Sequence, residues 1–145
     1  MNSILLLLAR ILLSAAFIMA GAMKFMSPGD TAGMIAQAGL PSATALTYLA
    51  ATFEVVAGLA VLVGFQTRIA SYLLALFCVF TALVFHSGAI SVPGFPPEAN
   101  AMLSMFNQGM MMKNLMIAGG FLALAVAGAG AYSVDGRRGA QLANA

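Results

Sequence analysis

Four apolar stretches of about twenty residues each, separated by connections of unequal length, leave this chain little choice of solvent. The hydrocarbon core of a bilayer is ~30 Å thick and takes ~20 apolar residues per crossing helix. The stretches fall at 4–26, 43–65, 68–87 and 110–131. Only 7% of the 145 residues are charged and 62% are hydrophobic, whereas a soluble domain has about 25% charged residues. So few charges could not cover the surface of a water-soluble fold this size. The sequence therefore predicts an all-α fold: an integral membrane four-helix up-down bundle whose first partner is the lipid bilayer. It reads as one transmembrane domain over 1–135, followed by a short polar tail at 136–145 without fixed structure.

The connections are unequal. Between the first two spans, Ser27 suits an N-cap, Pro28 a first helical position and Asp30 a capping-box acid. Gly39 and Pro41 then stop the segment. A short interfacial helix is expected over 28–38, with Met34, Ile35 and Ala38 on one side. Spans two and three are joined by a tight turn at Gln66 and Thr67. The third connection, 88–109, carries Pro93, Pro96 and Pro97 and reads as irregular.

An even number of spans puts both termini and the 66–67 turn on one side, with Arg68, Arg137 and Arg138. The bodies of the two long connections carry only Asp30 and Glu98. By the positive-inside rule both termini are cytoplasmic, so the chain is expected to be a multi-pass membrane protein with both long connections on the outer side. The first apolar run is followed by Ala20-Gly21-Ala22, which resembles a cleavage site, but no basic residue precedes the run and Arg10 interrupts it. It reads as a retained first helix.

Charges at membrane depth are costly and face the bundle interior. Six ionisable residues fall in or at the ends of the spans: Arg10, Lys24, Glu54, Arg68, His86 and Lys113. Arg10 and Lys24 are 14 residues apart, close to four turns, so they share a stripe of helix one with Ser14, Phe17 and Gly21. Arg68 and His86 share a stripe of helix three with Tyr72, Ala75, Val79 and Ala82. At ~1.5 Å per residue, Arg10 lies ~9 Å and Glu54 ~16 Å from the same membrane face. An Arg side chain spans that difference, so a buried Arg10–Glu54 ion pair is expected, either fixing helix register or leaving Glu54 to handle a proton. Lys24, His86 and Lys113 all lie toward the outer end, and Asn114 adds an amide. Together with Glu54 they form a candidate polar pocket, suited to a quinone head, an oxyanion of sulfur or a lipid phosphate. The plainer alternative is snorkelling of the lysines to headgroups, which is also the reading for Arg68.

Ten of the eleven methionines, all but Met1, lie toward the outer half. Their thioethers would suit Cu(I), but adaptable packing around a hydrophobic cavity is the stronger reading. Gly58, Gly64, Gly119 and Gly120, with Ala16 and Ala20, would let helices approach closely. The single cysteine, Cys78, reads as a core residue, and a lone thiol supports neither a disulfide nor a CxxC shuttle. No metal-ligand cluster, phosphate loop or Ser/His/Asp set is present in the sequence. Net charge is only +2 and scattered, which excludes nucleic acid as a partner.

The ordered set of local features resembles the DoxX family of small bacterial membrane proteins. It comprises Arg10, Gly21-Ala22-Met23-Lys24-Phe25, Pro28, Gly39-Leu40-Pro41 and Glu54 with Gly58. It continues with Gly64-Phe65-Gln66-Thr67-Arg68, Phe85-His86, Lys113-Asn114-Leu115 and Tyr132-Ser133-Val134-Asp135. The resemblance implies a four-helix membrane bundle with Arg10, Lys24, Glu54, Arg68, His86, Lys113 and Asn114 at family positions, without saying which is catalytic. It also implies redox work. One related subunit belongs to a thiosulfate:quinone oxidoreductase, and others are thought to act with superoxide-detoxifying and thiol-handling partners. The expected function is a quinone-interacting component of a membrane redox or sulfur/oxidative-stress system. As an enzyme it would be an oxidoreductase subunit needing a protein partner. The alternative is a non-enzymatic scaffold or assembly partner that binds extracytoplasmic proteins through the 88–109 connection. A transporter fits least, with four helices and no inverted repeat, unless the chain forms a homo-oligomer.

Overall fold

The computed structural model describes residues 2–143. Helix α1 spans Ser3–Met26, α2 Pro28–Gln37, α3 Ala43–Val63, α4 Thr67–Phe85, α5 Pro97–Ala127 and α6 Val134–Ala143. Four of these, α1, α3, α4 and α5, are long and apolar enough to cross a membrane. The short α2 lies between the first two spans, with Pro28 at its start and Ile35 buried against the bundle. Ser27 does precede α2, but its side chain makes no capping bond.

Each long helix turns a narrow stripe inward. On α1 the buried residues are Arg10, Ser14, Phe17 and Gly21, the stripe expected from 3.6-residue spacing. On α4 the expected stripe is not one buried face: Ala75 and Ala82 are buried, while Arg68 and Tyr72 are exposed. The two extensive helix interfaces are α1 on α3 and α4 on α5, and α3 meets α4 much less. Phe17 and Phe121 join the two pairs in the core, edge to face with ring centroids 5.4 Å apart. Cys78 lies in this core.

Two connections differ from expectation. Helix α5 is 31 residues long, ~46 Å at 1.5 Å per residue, so its first turns project past a ~30 Å hydrocarbon core. Pro97 does not break this helix; it opens it, where the missing N–H costs nothing. The extension organises the preceding loop through Asn100, Ser104 and Asn107, spaced i, i+4, i+7. Asn100 Oδ1 accepts from Val92 N (2.8 Å), Ser104 Oγ from Ile90 N (3.0 Å), and Asn107 Nδ2 donates to Gly88 O (2.9 Å). The tail is also ordered: residues 134–143 form α6, and only 144–145 of it fall outside the described residues.

At the end of the bundle carrying the termini, a polar clasp ties the elements together. Helix α3 ends in a Schellman turn: Phe65 N donates to Ala60 O (2.8 Å) and Gly64 N to Val61 O (3.1 Å), with Gly64 at φ +74°. Asp135 then caps α4, accepting from Gln66 N and Thr67 N at 2.9 Å each. Arg138 stacks over the Phe65 ring at 5.2 Å. Burial opposes the Asp135 charge, but the amides of Thr67 and Gln66 and the nearby Arg138 outweigh it, so its pKa is held below the usual carboxylate value. The capping contribution is thus complete above an unfolded-chain pKa of about 3.9 and is lost as pH falls through the lower folded value. Asp135→Asn should cost about 1 kcal/mol at neutral pH and should flatten the acid limb of a stability-pH curve measured by thermal unfolding in detergent.

Gly64 is placed under two constraints. Its φ disfavours any side chain, and a Cβ there would collide with Ser133 Cβ and crowd Arg10 Cζ at 3.0 Å. Gly64→Ala should therefore cost about 2 kcal/mol or more. Gly119→Ala is the control: Gly119 faces open space within α5, so alanine should be neutral or slightly stabilising. That openness also shows that Gly119 does not mediate close helix contact, whereas Gly58 lies against Ile18 and Ser14 of α1.

Candidate functional site

Glu54 is buried in the middle of α3 with 5% of its side chain exposed, and its partner is Lys24. Lys24 Nζ lies 2.8 Å from Oε2 and 3.1 Å from Oε1, so both oxygens are engaged. This is the one ion pair among the described residues. The expected Arg10–Glu54 pair does not form. Side chains on a helix lean toward its N-terminus. On antiparallel α1 and α3 this tips Glu54 toward the loop end and Arg10 toward the end with the termini. Lys24, near the C-terminus of α1, leans back toward Glu54. Gly21 sets the level of the pair by bringing α1 against α3; a Cβ there would lie 2.7 Å from Ala51 O and 3.2 Å from Glu54 Cβ.

Arg10 has a different task. It is 1% exposed, and its guanidinium is spent on four backbone carbonyls. Nε donates to Val61 O (3.0 Å) and Nη2 to Leu62 O (2.7 Å), at the C-terminus of α3. Nη1 donates to Ala129 O (2.8 Å) and Tyr132 O (2.9 Å), beyond the end of α5. These carbonyls lie past the last N–H of a regular helix, although Val61 O also accepts from Gly64 N in the turn, and the negative end of the α3 dipole favours the cation. Arg10 thus belongs to the clasp described above and not to the pocket.

On the loop side of the Phe17–Phe121 contact, the two helix pairs diverge around a cavity of about 890 Å³. Lys24, Glu54, His86, Lys113 and Asn114 all line it. Its remaining wall is predominantly apolar and includes Phe53, Phe77 and Ile117. Phe53 and Phe77 approach each other across α3 and α4 at 5.2 Å. Asn114 Nδ2 donates to Thr81 Oγ1 (3.2 Å), and Thr81 in turn donates to Cys78 O (3.1 Å). Lys113 Nζ contacts the Met110 sulfur at 3.3 Å.

His86 is oriented by a residue the sequence did not single out. Its Nδ1 lies 2.8 Å from Asn107 Oδ1, while the Asn107 amide nitrogen donates to Gly88 O. The Asn107 oxygen therefore faces the ring, and Nδ1 is the donor in this contact. The polar i, i+4, i+7 series on α5 was the available signal for Asn107. The methionines did not lead to the cavity. Met34 alone among them lines it, while Met19, Met23, Met26, Met102, Met105, Met112 and Met116 are exposed. With one thioether at the cavity, the expectation of a methionine-lined pocket is corrected.

The sequence model of the DoxX family matches residues 5–87. The inner membrane protein YqjF of Escherichia coli is 39% identical over 129 residues, covering 89% of this chain and 88% of that protein. The inner membrane protein YphA of the same organism is 34% identical over 134 residues, covering 92% of this chain and 90% of its own length. No solved structure is significantly similar. With four membrane-length helices and near-full-length likeness to these relatives, the chain is a multi-pass integral membrane protein that belongs to the DoxX family.

Proposed function

We propose that this protein is a quinone-interacting component of an inner-membrane redox system, and that the cavity between the helix pairs is its ligand site. One observation carries the reading: an apolar cavity of about 890 Å³ that contains a buried Lys24–Glu54 pair together with His86, Lys113 and Asn114. Ligand sites are typically 300–1,000 Å³, mostly apolar, with a few convergent polar groups. The donor set fits a quinone. Lys113 and Asn114 supply N–H donors for a carbonyl oxygen, and the aromatic walls suit its ring. A bound quinone would supply two-electron chemistry, taking up two protons on reduction. Glu54 and His86 are the cavity groups able to hold and pass those protons. The reading assigns electron delivery to a partner redox protein. Location in the inner membrane is supported by the two Escherichia coli relatives. Arg68, Arg137 and Arg138 at one end support cytoplasmic termini, which reporter fusions at residue 145 and in the 88–96 loop would test.

The functional test is quinone reduction by membrane vesicles supplied with different sulfur donors, with and without this protein. Loss of the protein should slow reduction with at least one donor, and Glu54→Gln should reproduce the loss. Unaltered rates with every donor would contradict the redox role. A scaffold reading has one observation in its favour: Phe95, Met102, Met105 and Phe106 are exposed around the α5 extension. It predicts that replacing these four by serine abolishes partner recovery while Glu54→Gln leaves it intact.

A further inference from the structure

The cavity is bounded on one side by α3 and α4, the neighbouring spans that share little contact. Four of its lining residues also face outward: Leu49 of α3 is 66% exposed, and Leu73, Leu76 and Phe80 of α4 are 47%, 67% and 46% exposed. Their depth is decisive. Counting from the end of the bundle with the termini, Leu73, Leu76 and Phe80 stand ~9, ~14 and ~20 Å along α4, and Leu49 ~21 Å along α3. All four therefore lie within the ~30 Å hydrocarbon layer, not at its aqueous border. The clasp at the other end joins α3 to α4 through their short turn, Gly64 and Asp135, and the Phe53–Phe77 contact bridges the two helices at mid-depth with ring centroids 5.2 Å apart, so the opening lies on the loop side of that contact, between Leu49 and Phe80.

We propose that the gap between α3 and α4 is a lateral portal from the bilayer into the cavity. The ligand is then a lipid-soluble amphiphile. Its polar head reaches the Lys24–Glu54 pair, and its apolar tail leaves between Leu49 on one side and Leu76 and Phe80 on the other. This deepens the quinone reading and rests on it for the head group, but the portal itself is a property of the two helices. It accounts for a polar site whose flank is lined at mid-span by residues exposed to the hydrocarbon layer.

The test reconstitutes the full chain into phosphatidylcholine vesicles in which a fraction of the lipid carries a diazirine at mid-chain. Labelled residues are mapped by mass spectrometry after illumination. Label is expected on Phe53 and Phe77, which are part-buried cavity walls, as well as on outward-facing Leu49. Leu76→Trp, a substitution at a lipid-facing position that leaves the core untouched, should reduce the Phe53 and Phe77 label at least fivefold while Leu49 stays labelled. Label confined to outward residues, or equal label on Phe53 in the Leu76→Trp variant, would overturn the portal. A long-tailed quinone added to the vesicles should protect Phe53 and Phe77. Strong labelling that quinone does not reduce would keep the portal and count against the quinone.

Discussion

Replacing Arg10 with leucine should destabilise the protein by about 3–5 kcal/mol, the range for removing one partner of a buried, charge-assisted network. The carbonyls of Leu62, Ala129 and Tyr132 lose the guanidinium together, and Val61 O keeps only its turn bond from Gly64 N. They lie at the end of α3 and in the segment beyond α5, where no further helical N–H can replace the guanidinium. Arg10→Lys is the informative companion. An ammonium offers three donors on a flexible stem, not a planar fork of five, so it should recover about half of the loss. The check is thermal unfolding in detergent followed by circular dichroism, with proteolysis at 134–143 as a local readout. Stability equal to wild type in Arg10→Leu would mean the clasp does not hold the bundle together.

The second large effect concerns the Lys24–Glu54 pair, and its sign pattern is distinctive. Lys24→Met leaves a carboxylate with 5% exposure and no counter-charge, and should cost about 3–5 kcal/mol. Glu54→Gln leaves Lys24, whose side chain is 20% exposed and near a helix end, able to extend toward the interface. It should cost less, about 1–2 kcal/mol. The double variant, which buries no unpaired charge, should be more stable than Lys24→Met alone. A double-mutant cycle by thermal unfolding measures this directly. Additive losses would show that the two groups are not coupled. The same asymmetry makes Glu54→Gln the variant of choice for function, since it removes the carboxylate with the smaller structural penalty.

The spans, the interfacial helix and the inward stripe of α1 were legible because hydropathy and 3.6-residue spacing are local properties of the chain. The partner of Glu54 was not. Rise per residue places Arg10 and Lys24 on one stripe but omits the lean of side chains toward the helix N-terminus, and that lean decides which cation reaches Glu54. Pro96 and Pro97 signalled a break, yet proline at the first helical position is permitted, so α5 begins thirteen residues before the expected 110. The order of 134–143 was hidden for a related reason. The Asp135 carboxylate is tied to amides 68 and 69 residues away in sequence, a contact that no window of local composition contains. Lys24, His86, Lys113 and Asn114 were legible together by their shared outer-end position, whereas Glu54, at mid-depth, reaches the cavity through the side-chain lean that pairs it with Lys24; the role of Asn107 behind His86 depended on the loop folding back.

The most direct test of the central claim, that the cavity is a ligand site, is mass spectrometry of the protein purified in mild detergent from its native membrane. Wild type is compared with Glu54→Gln and Lys113→Ala. A quinone should accompany the wild type and be depleted at least tenfold in both variants, at equal recovery of folded protein. Wild type that carries no small amphiphile, or carries the same one at the same level in all three samples, would contradict the account.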